Sequence, residues 1–165
     1  MTLSELNALD GPGARAEFLR CCGSARWADQ MAAGRPYADS AKLYDACERA
    51  FQQLGEGDWK EAFGAHRRIG DPKGKAGAGT VAWATAEQSG VRSAGPEILA
   101  RLKEANEAYE ARFGYIFIVC ATGKNAAEML EMLHSRLGNN RTEEAKIAAS
   151  EQSKITRLRL EKLLG

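Results

Sequence analysis

Residues 142 to 164 read TEEAKIAASEQSKITRLRLEKLL, a stretch with no proline and no glycine. Alanine and straight-chain side chains dominate it, and these lose little freedom in a helix. The stretch predicts one long helix from Thr142 to about Leu164. At about 100° per residue, Ala148, Gln152, Ile155, Arg159 and Leu163 share one stripe, and Lys146, Ser150, Lys154, Arg157 and Glu161 fall opposite. Arg159 therefore points into the protein and Arg157 to water. A guanidinium within an apolar stripe is costly unless it is paired. The pattern leaves the readings of Arg159 open: snorkelling to the surface, a structural ion pair with a buried carboxylate, backbone carbonyls, or an anionic ligand.

The same helical period runs back along the chain. Asn125 and Glu128 begin a helix through Met129, Leu130, Leu133 and Leu137 that Gly138 stops. Pro96 opens another, with Ile98, Leu102, Ala105 and Tyr109 on one face. Between these two lies YIFIVC, 115 to 120, the only strand-like run. A strand without partners leaves its amides unsatisfied, so this run is predicted to be an extended or partly helical buried segment.

Towards the N-terminus, Thr2 and Glu5 have capping-box spacing, Pro12 suits a first turn and Gly23 a stop, which gives two short helices. Ser24 caps a third that ends near Gly34. Asp39 caps a fourth carrying Leu43, Cys47, Ala50 and Leu54, ended by Gly55. Asp58 and Glu61 start a brief helix through Trp59, Ala62 and Phe63 that delivers His66 at its C-terminal end. Residues 70 to 79, GDPKGKAGAG, hold four glycines and a proline and cannot be helical. Helical pattern resumes with Val81, Trp83, Ala84, Glu87 and Gln88. The expectation is an all-α, single-domain bundle over residues 1 to 165, with about eight to nine helices and one short extended segment.

Composition narrows the function. The 165 residues are 44% hydrophobic, ample for one core. Lys and Arg number 23 against 22 acidic residues, so no net positive field exists to hold nucleic acid or an anionic membrane. A helix-turn-helix reading also lacks a basic recognition helix. Cys21, Cys22, Cys47 and Cys120 show neither metal-site spacing nor the density of a disulfide scaffold, and read as buried thiols in a reducing cytosol. The N-terminal MTLSELNALD has no targeting pattern, no apolar run is long enough to span a bilayer, and the terminal LLG is not a peroxisomal signal. A soluble cytoplasmic protein is expected.

The chain has two histidines. His134, between Leu133 and Ser135 in an amphipathic helix, reads as a surface or boundary residue. His66 leads from a short helix into the glycine-rich loop, where a ligand can approach. It reads equally as a helix C-terminal histidine favoured by the macrodipole or as a functional group. GDPKGKA is one residue short of a phosphate loop and has alanine where Ser or Thr must ligate magnesium. GAGTVA, 77 to 82, imitates a dinucleotide fingerprint without a βαβ unit around it. Two distant histidines and scattered cysteines give no metal-ligand pattern, so His66 is expected to act without a metal. Glu87 and Gln88 are unremarkable by themselves.

Four segments in order, AHRRIGD (65 to 71), WATAEQSGV (83 to 91), YEARFGYIFIVCATGK (109 to 124) and ITRLRLEKLL (155 to 164), resemble the 2-oxo-4-hydroxy-4-carboxy-5-ureidoimidazoline (OHCU) decarboxylase family of urate breakdown. The resemblance covers essentially the whole chain. Its most specific elements are the histidine opening an H-P-x-x-G motif, the E-Q pair about twenty residues on, the F-G-[FY]-x-F-I block and the arginine of the last L-R-L. It implies a catalytic histidine at His66, a catalytic glutamate at Glu87, a substrate-contacting glutamine at Gln88 and a binding arginine at Arg159. It further implies ligand-facing backbone at Phe117 and Ile118. The helical stripe independently selects Arg159 over Arg157. The chain departs from the pattern at Arg67, where the family has proline; this changes backbone rigidity and sets a cation, or a further substrate contact, beside His66.

The resemblance implies a carboxy-lyase with a small-molecule substrate, no cofactor and a homodimeric state. The imidazoline ring carries its own C=N and carbonyl groups as electron sink, so neither pyridoxal, thiamine nor metal is needed. A rival reading is a catalytically silent helical module that binds a ureide or a protein, with Arg67 as its mark.

Overall fold

The structure is a computed structural model that describes residues 1–70, 87–91 and 94–165. The glycine-rich stretch from 71 to 79 and the helical pattern resuming at Val81, Trp83 and Ala84 lie outside the described residues.

Eight α-helices and no strand occur among the described residues: α1 (Leu3–Ala8), α2 (Gly11–Cys21), α3 (Ala25–Ala33), α4 (Ser40–Gln52), α5 (Glu56–Gly64), α6 (Pro96–Phe113), α7 (Ala126–Leu137) and α8 (Arg141–Leu164). A single 3-10 turn spans Ser89–Val91. The all-helical expectation is met, and the caps explain most boundaries. Thr2 and Glu5 form a complete capping box on α1. Asp10, Ser24, Asp39 and Asn125 each accept a first-turn amide of α2, α3, α4 and α7, satisfying a donor that has no partner within the helix. Gly114 ends α6 in the left-handed region at φ 81°, a conformation without penalty only for glycine.

Helix α4 ends at Gln52, short of Leu54, and two helix starts differ from the sequence reading. Helix α5 starts at Glu56, not at Asp58. Asp58 sits in its first turn and accepts from the Gly55 amide at 3.0 Å, the backward half of a capping box. Helix α8 starts at Arg141, because Asn140 accepts from the Glu143 amide at 2.8 Å and so caps the helix ahead of Thr142. Asparagine outranks threonine at this position.

Residues form two compact units, one of Met1–Ala62 with Ser153–Gly165 and one of Phe63–Gln152. In the first, Leu6, Phe18, Trp27, Met31, Leu43 and Leu160 are fully buried. Phe18 and Trp27 meet edge to face with centroids 5.9 Å apart, a favoured geometry for two aromatic quadrupoles. The second is built on Leu102, Tyr109, Phe113, Phe117, Met129 and Leu133, with Tyr109 edge-on to Phe117 at 5.3 Å.

The segment 116 to 121 is neither helix nor strand and is mostly buried. Its polar backbone atoms are met by side chains. Arg136 Nη1 donates to the Ile118 carbonyl at 2.7 Å, Lys124 Nζ donates to the Cys120 carbonyl at 2.7 Å, and the Cys120 amide donates to Glu151 Oε1 at 3.3 Å. This resolves how a lone strand-like run survives in a helical core.

Candidate active site

The turn after α5 carries His66. Its amide donates to the Phe63 carbonyl at 3.1 Å, continuing the helical path for one more residue. The ring is half-buried, and Nε2 lies 2.6 Å from Oε1 of the fully buried Gln152 on α8. The residues from Arg68 to Gly70 beyond it are pinned as well. Arg68 donates through Nε and Nη2 to both carboxylate oxygens of Glu110 at 2.9 Å, a two-pronged pairing that fixes orientation. Asn106 Nδ2 donates to the Ile69 carbonyl at 3.1 Å. The Gly70 amide donates to Gln88 Oε1 at 3.1 Å, and Gly70 has φ 82°. Gln88 is thereby tied to the chain four residues after His66, and Arg67, half-buried, lies within this braced stretch.

Glu87 is buried. Burial raises the pKa of the Cys120 thiol; Lys124 opposes this, while the carboxylates of Glu151 and Glu87 add to it. Glu87, Glu151 and the end of the extended segment thus share one electrostatic neighbourhood. Phe117 and Ile118, three and two residues before Cys120, are each 2% exposed. The segment is held by a buried network: Arg136 Nε donates to Glu144 Oε1 at 2.7 Å, Tyr109 Oη to the same oxygen at 2.5 Å and Asn139 Nδ2 to Oε2 at 2.9 Å. The Arg136 guanidinium also stands 4.5 Å over the Phe117 ring.

Within the second unit, therefore, Gln152 receives His66, Gln88 receives the backbone just beyond it, and Glu151 receives the amide of the segment that includes Phe117 and Ile118. Arg159 belongs to the first unit and is 3% exposed. Its Nη1 donates to the Arg20 carbonyl at 3.4 Å, and its charge opposes the burial that raises the thiol pKa values of Cys21 and Cys22. Arg157 is half-exposed, pairs with Glu161 at 2.8 Å and stacks 3.6 Å over Tyr44. The helical stripe sorts the two arginines correctly. His134 is exposed, as its sequence context suggests.

Sequence reasoning missed Gln152, Glu151 and Arg136. A signal for the first existed, since Gln152 lies on the same inward stripe as Arg159, and a polar side chain there must find a partner.

The sequence profile of a family described as OHCU decarboxylase matches residues 7–161. The chain belongs to the OHCU decarboxylase family. It is 40% identical over 151 residues to the uric acid degradation bifunctional protein TTL of Arabidopsis thaliana, covering 90% of this chain but 47% of that protein, about half its length. It is 32% identical to the 2-oxo-4-hydroxy-4-carboxy-5-ureidoimidazoline decarboxylase of Amia calva, over 79% of this chain and 75% of the relative. A crystal structure of an OHCU decarboxylase in the presence of (S)-allantoin is similar in fold, with TM-score 0.77 and 39% identity over 90% of this chain and 96% of that one. Among its described residues the chain has no helix long and apolar enough to cross a membrane.

Proposed function

We propose that this chain decarboxylates OHCU stereospecifically to (S)-allantoin in urate catabolism, with no cofactor. What carries the reading is the family match over residues 7–161 together with His66 standing in a braced turn beside buried polar partners. In this reading residues 1–165 act as one OHCU decarboxylase-like domain, an inference supported by a match that takes in residues of both units. The protein is further proposed to be a cytoplasmic homodimer.

The chemistry follows from the substrate. The bond to the carboxylate breaks, carbon dioxide leaves, and the electron pair flows into the conjugated C=N of the ring. A proton then adds to the carbon bearing the ureido group and sets its configuration. His66 and Glu87 are the proposed catalytic residues, orienting the hydroxyl and carboxylate at the reacting centre, with His66 governing the protonation. Gln88, Arg67 and the backbone at Phe117 and Ile118 are proposed substrate contacts. Arg159 is proposed to bind the delocalised imidazoline or ureido oxygens. A guanidinium on the departing carboxylate would favour the ground state, whereas one on oxygens that gather charge lowers the barrier.

The test follows circular dichroism of allantoin formed from freshly generated OHCU, since spontaneous decay gives a racemate. His66→Ala and Glu87→Ala are each expected to lower the rate about a hundredfold or more while keeping the helical spectrum. Unchanged rates in both variants would remove these residues from the mechanism. A racemic product from the native protein, with ureide binding retained, would favour the catalytically silent module instead.

A further inference from the structure

We propose that Gln152 is the positioning residue of His66: it keeps the proton on Nε2, so that the ring gives and takes its working proton through Nδ1. The inference rests on the reading of His66 as the group that manages protonation.

A neutral imidazole carries one N–H and one lone pair, and the hydrogen bond made by one nitrogen decides the role of the other. An amide oxygen has no proton to give. With Oε1 of Gln152 at 2.6 Å, Nε2 must be the donor, whether the ring is neutral or cationic. That leaves Nδ1 as the atom whose protonation changes.

Gln152 is built to hold this choice. It is 0% exposed, on the inward stripe of a 24-residue helix. Its neighbour Glu151 is also buried and accepts from the Cys120 amide at 3.3 Å. One turn of α8 thus orients the imidazole and fixes the extended segment together. The choice of an amide has its own logic. A carboxylate at this distance would add a full charge that favours the imidazolium, whereas a neutral acceptor sets the tautomer without holding the second proton.

The primary test needs no turnover. In the full-length protein labelled with nitrogen-15, His66 is assigned by difference from a His134→Gln variant, as the chain has two histidines. The neutral ring of His66 is expected to show a protonated Nε2 and an unprotonated Nδ1. The opposite tautomer in the native protein overturns the inference.

Two variants extend the test. Gln152→Met keeps the bulk and loses the strong acceptor. It is expected to lower kcat about a hundredfold, as a misplaced imidazole proton does elsewhere, with KM changed by less than about twofold, and to populate the Nδ1–H tautomer. Gln152→Glu keeps an acceptor and is expected to retain the native tautomer, but to shift the ring's loss of its second proton, and with it the pH profile of kcat, to higher pH. If Gln152→Met folds with native tautomer and native kcat, Gln152 is not a positioning residue. If it does not fold, the native tautomer decides alone. An active His66→Ala would instead sink the catalytic reading and leave the tautomer result standing.

Discussion

In the unit of residues 1–62 and 153–165 the buried reactive atoms are mainly sulfur: Cys21, Cys22 and Cys47 are buried free thiols, kept protonated by desolvation. In the unit of residues 63–152 they are ionic, with Arg136 and Glu144 6% and 0% exposed and joined to Tyr109 and Asn139. The two solutions have different consequences. A neutral thiol packs as a small apolar group and demands no orientation. A buried charge must be met by a partner of fixed geometry, so it also fixes whatever else it touches. Here that includes the Ile118 carbonyl and the Phe117 ring, on the segment proposed to face the substrate. The second unit, which also buries the Cys120 thiol, thus orients its segment through paired charge, whereas the first sets a buried cation, Arg159, beside its thiols.

The largest effect expected from breaking this contrast is at Arg136. Arg136→Met removes the cation from a fully buried carboxylate and the donor from the Ile118 carbonyl, and should cost roughly 3–5 kcal/mol in urea unfolding. The double variant Arg136→Met, Glu144→Leu should recover much of that loss, because it leaves no uncompensated charge. A single-variant cost below about 1 kcal/mol would mean that the network is incidental to this core.

How far the chain was legible follows the same division. Local signals were sound: Thr2, Pro12, Ser24, Asp39 and Asn125 lie at or beside the helix starts read from them, and the stripe of α8 separates buried Arg159 from half-exposed Arg157. Where two cap candidates compete, as with Asn140 and Thr142, spacing alone does not choose. Pairings across the chain were out of reach. Periodicity turns Gln152 inward but does not name a partner 86 positions away. For YIFIVC the lack of partner strands argues against a sheet without revealing that Arg136, Lys124 and Glu151 take the place of neighbouring strands.

A smaller effect is expected where backbone approaches backbone. A Cβ on Gly90 would lie 2.2 Å from the Lys124 carbonyl oxygen, with Lys124 itself bonded to the Cys120 carbonyl. Neither backbone is a flexible side-chain tip, so something must shift. Gly90→Ala should cost about 1–3 kcal/mol, read as a lower unfolding midpoint at unchanged denaturant slope. If the ionic unit is the rigid one, Gly90→Ala should also reduce turnover, since the turn it distorts begins at Ser89, next to Gln88. Native stability would show that this region yields freely and that the ionic unit is not the rigid one.

The smallest effect belongs to the thiols and has a definite sign. Burial pushes the Cys22 thiol up from 9.0 to about 11 and the Cys47 thiol up from 9.0 to about 12. Below pH 9 both the folded and the unfolded chain keep these protons, so the groups add no pH dependence. Between the ordinary and the raised values the unfolded chain ionises and the folded one does not. Stability must then fall as pH rises, by up to about 1.4 kcal/mol per unit for each thiol. Cys47→Ala removes one such proton at a site that is 3% exposed and otherwise apolar in behaviour. Unfolding under reducing conditions at pH 7, 9 and 10.5 should therefore give a shallower decline for Cys47→Ala than for the native chain, with little difference at pH 7. Equal slopes would mean that the thiol already ionises in the folded state, and that this unit is more open to water than its packing implies.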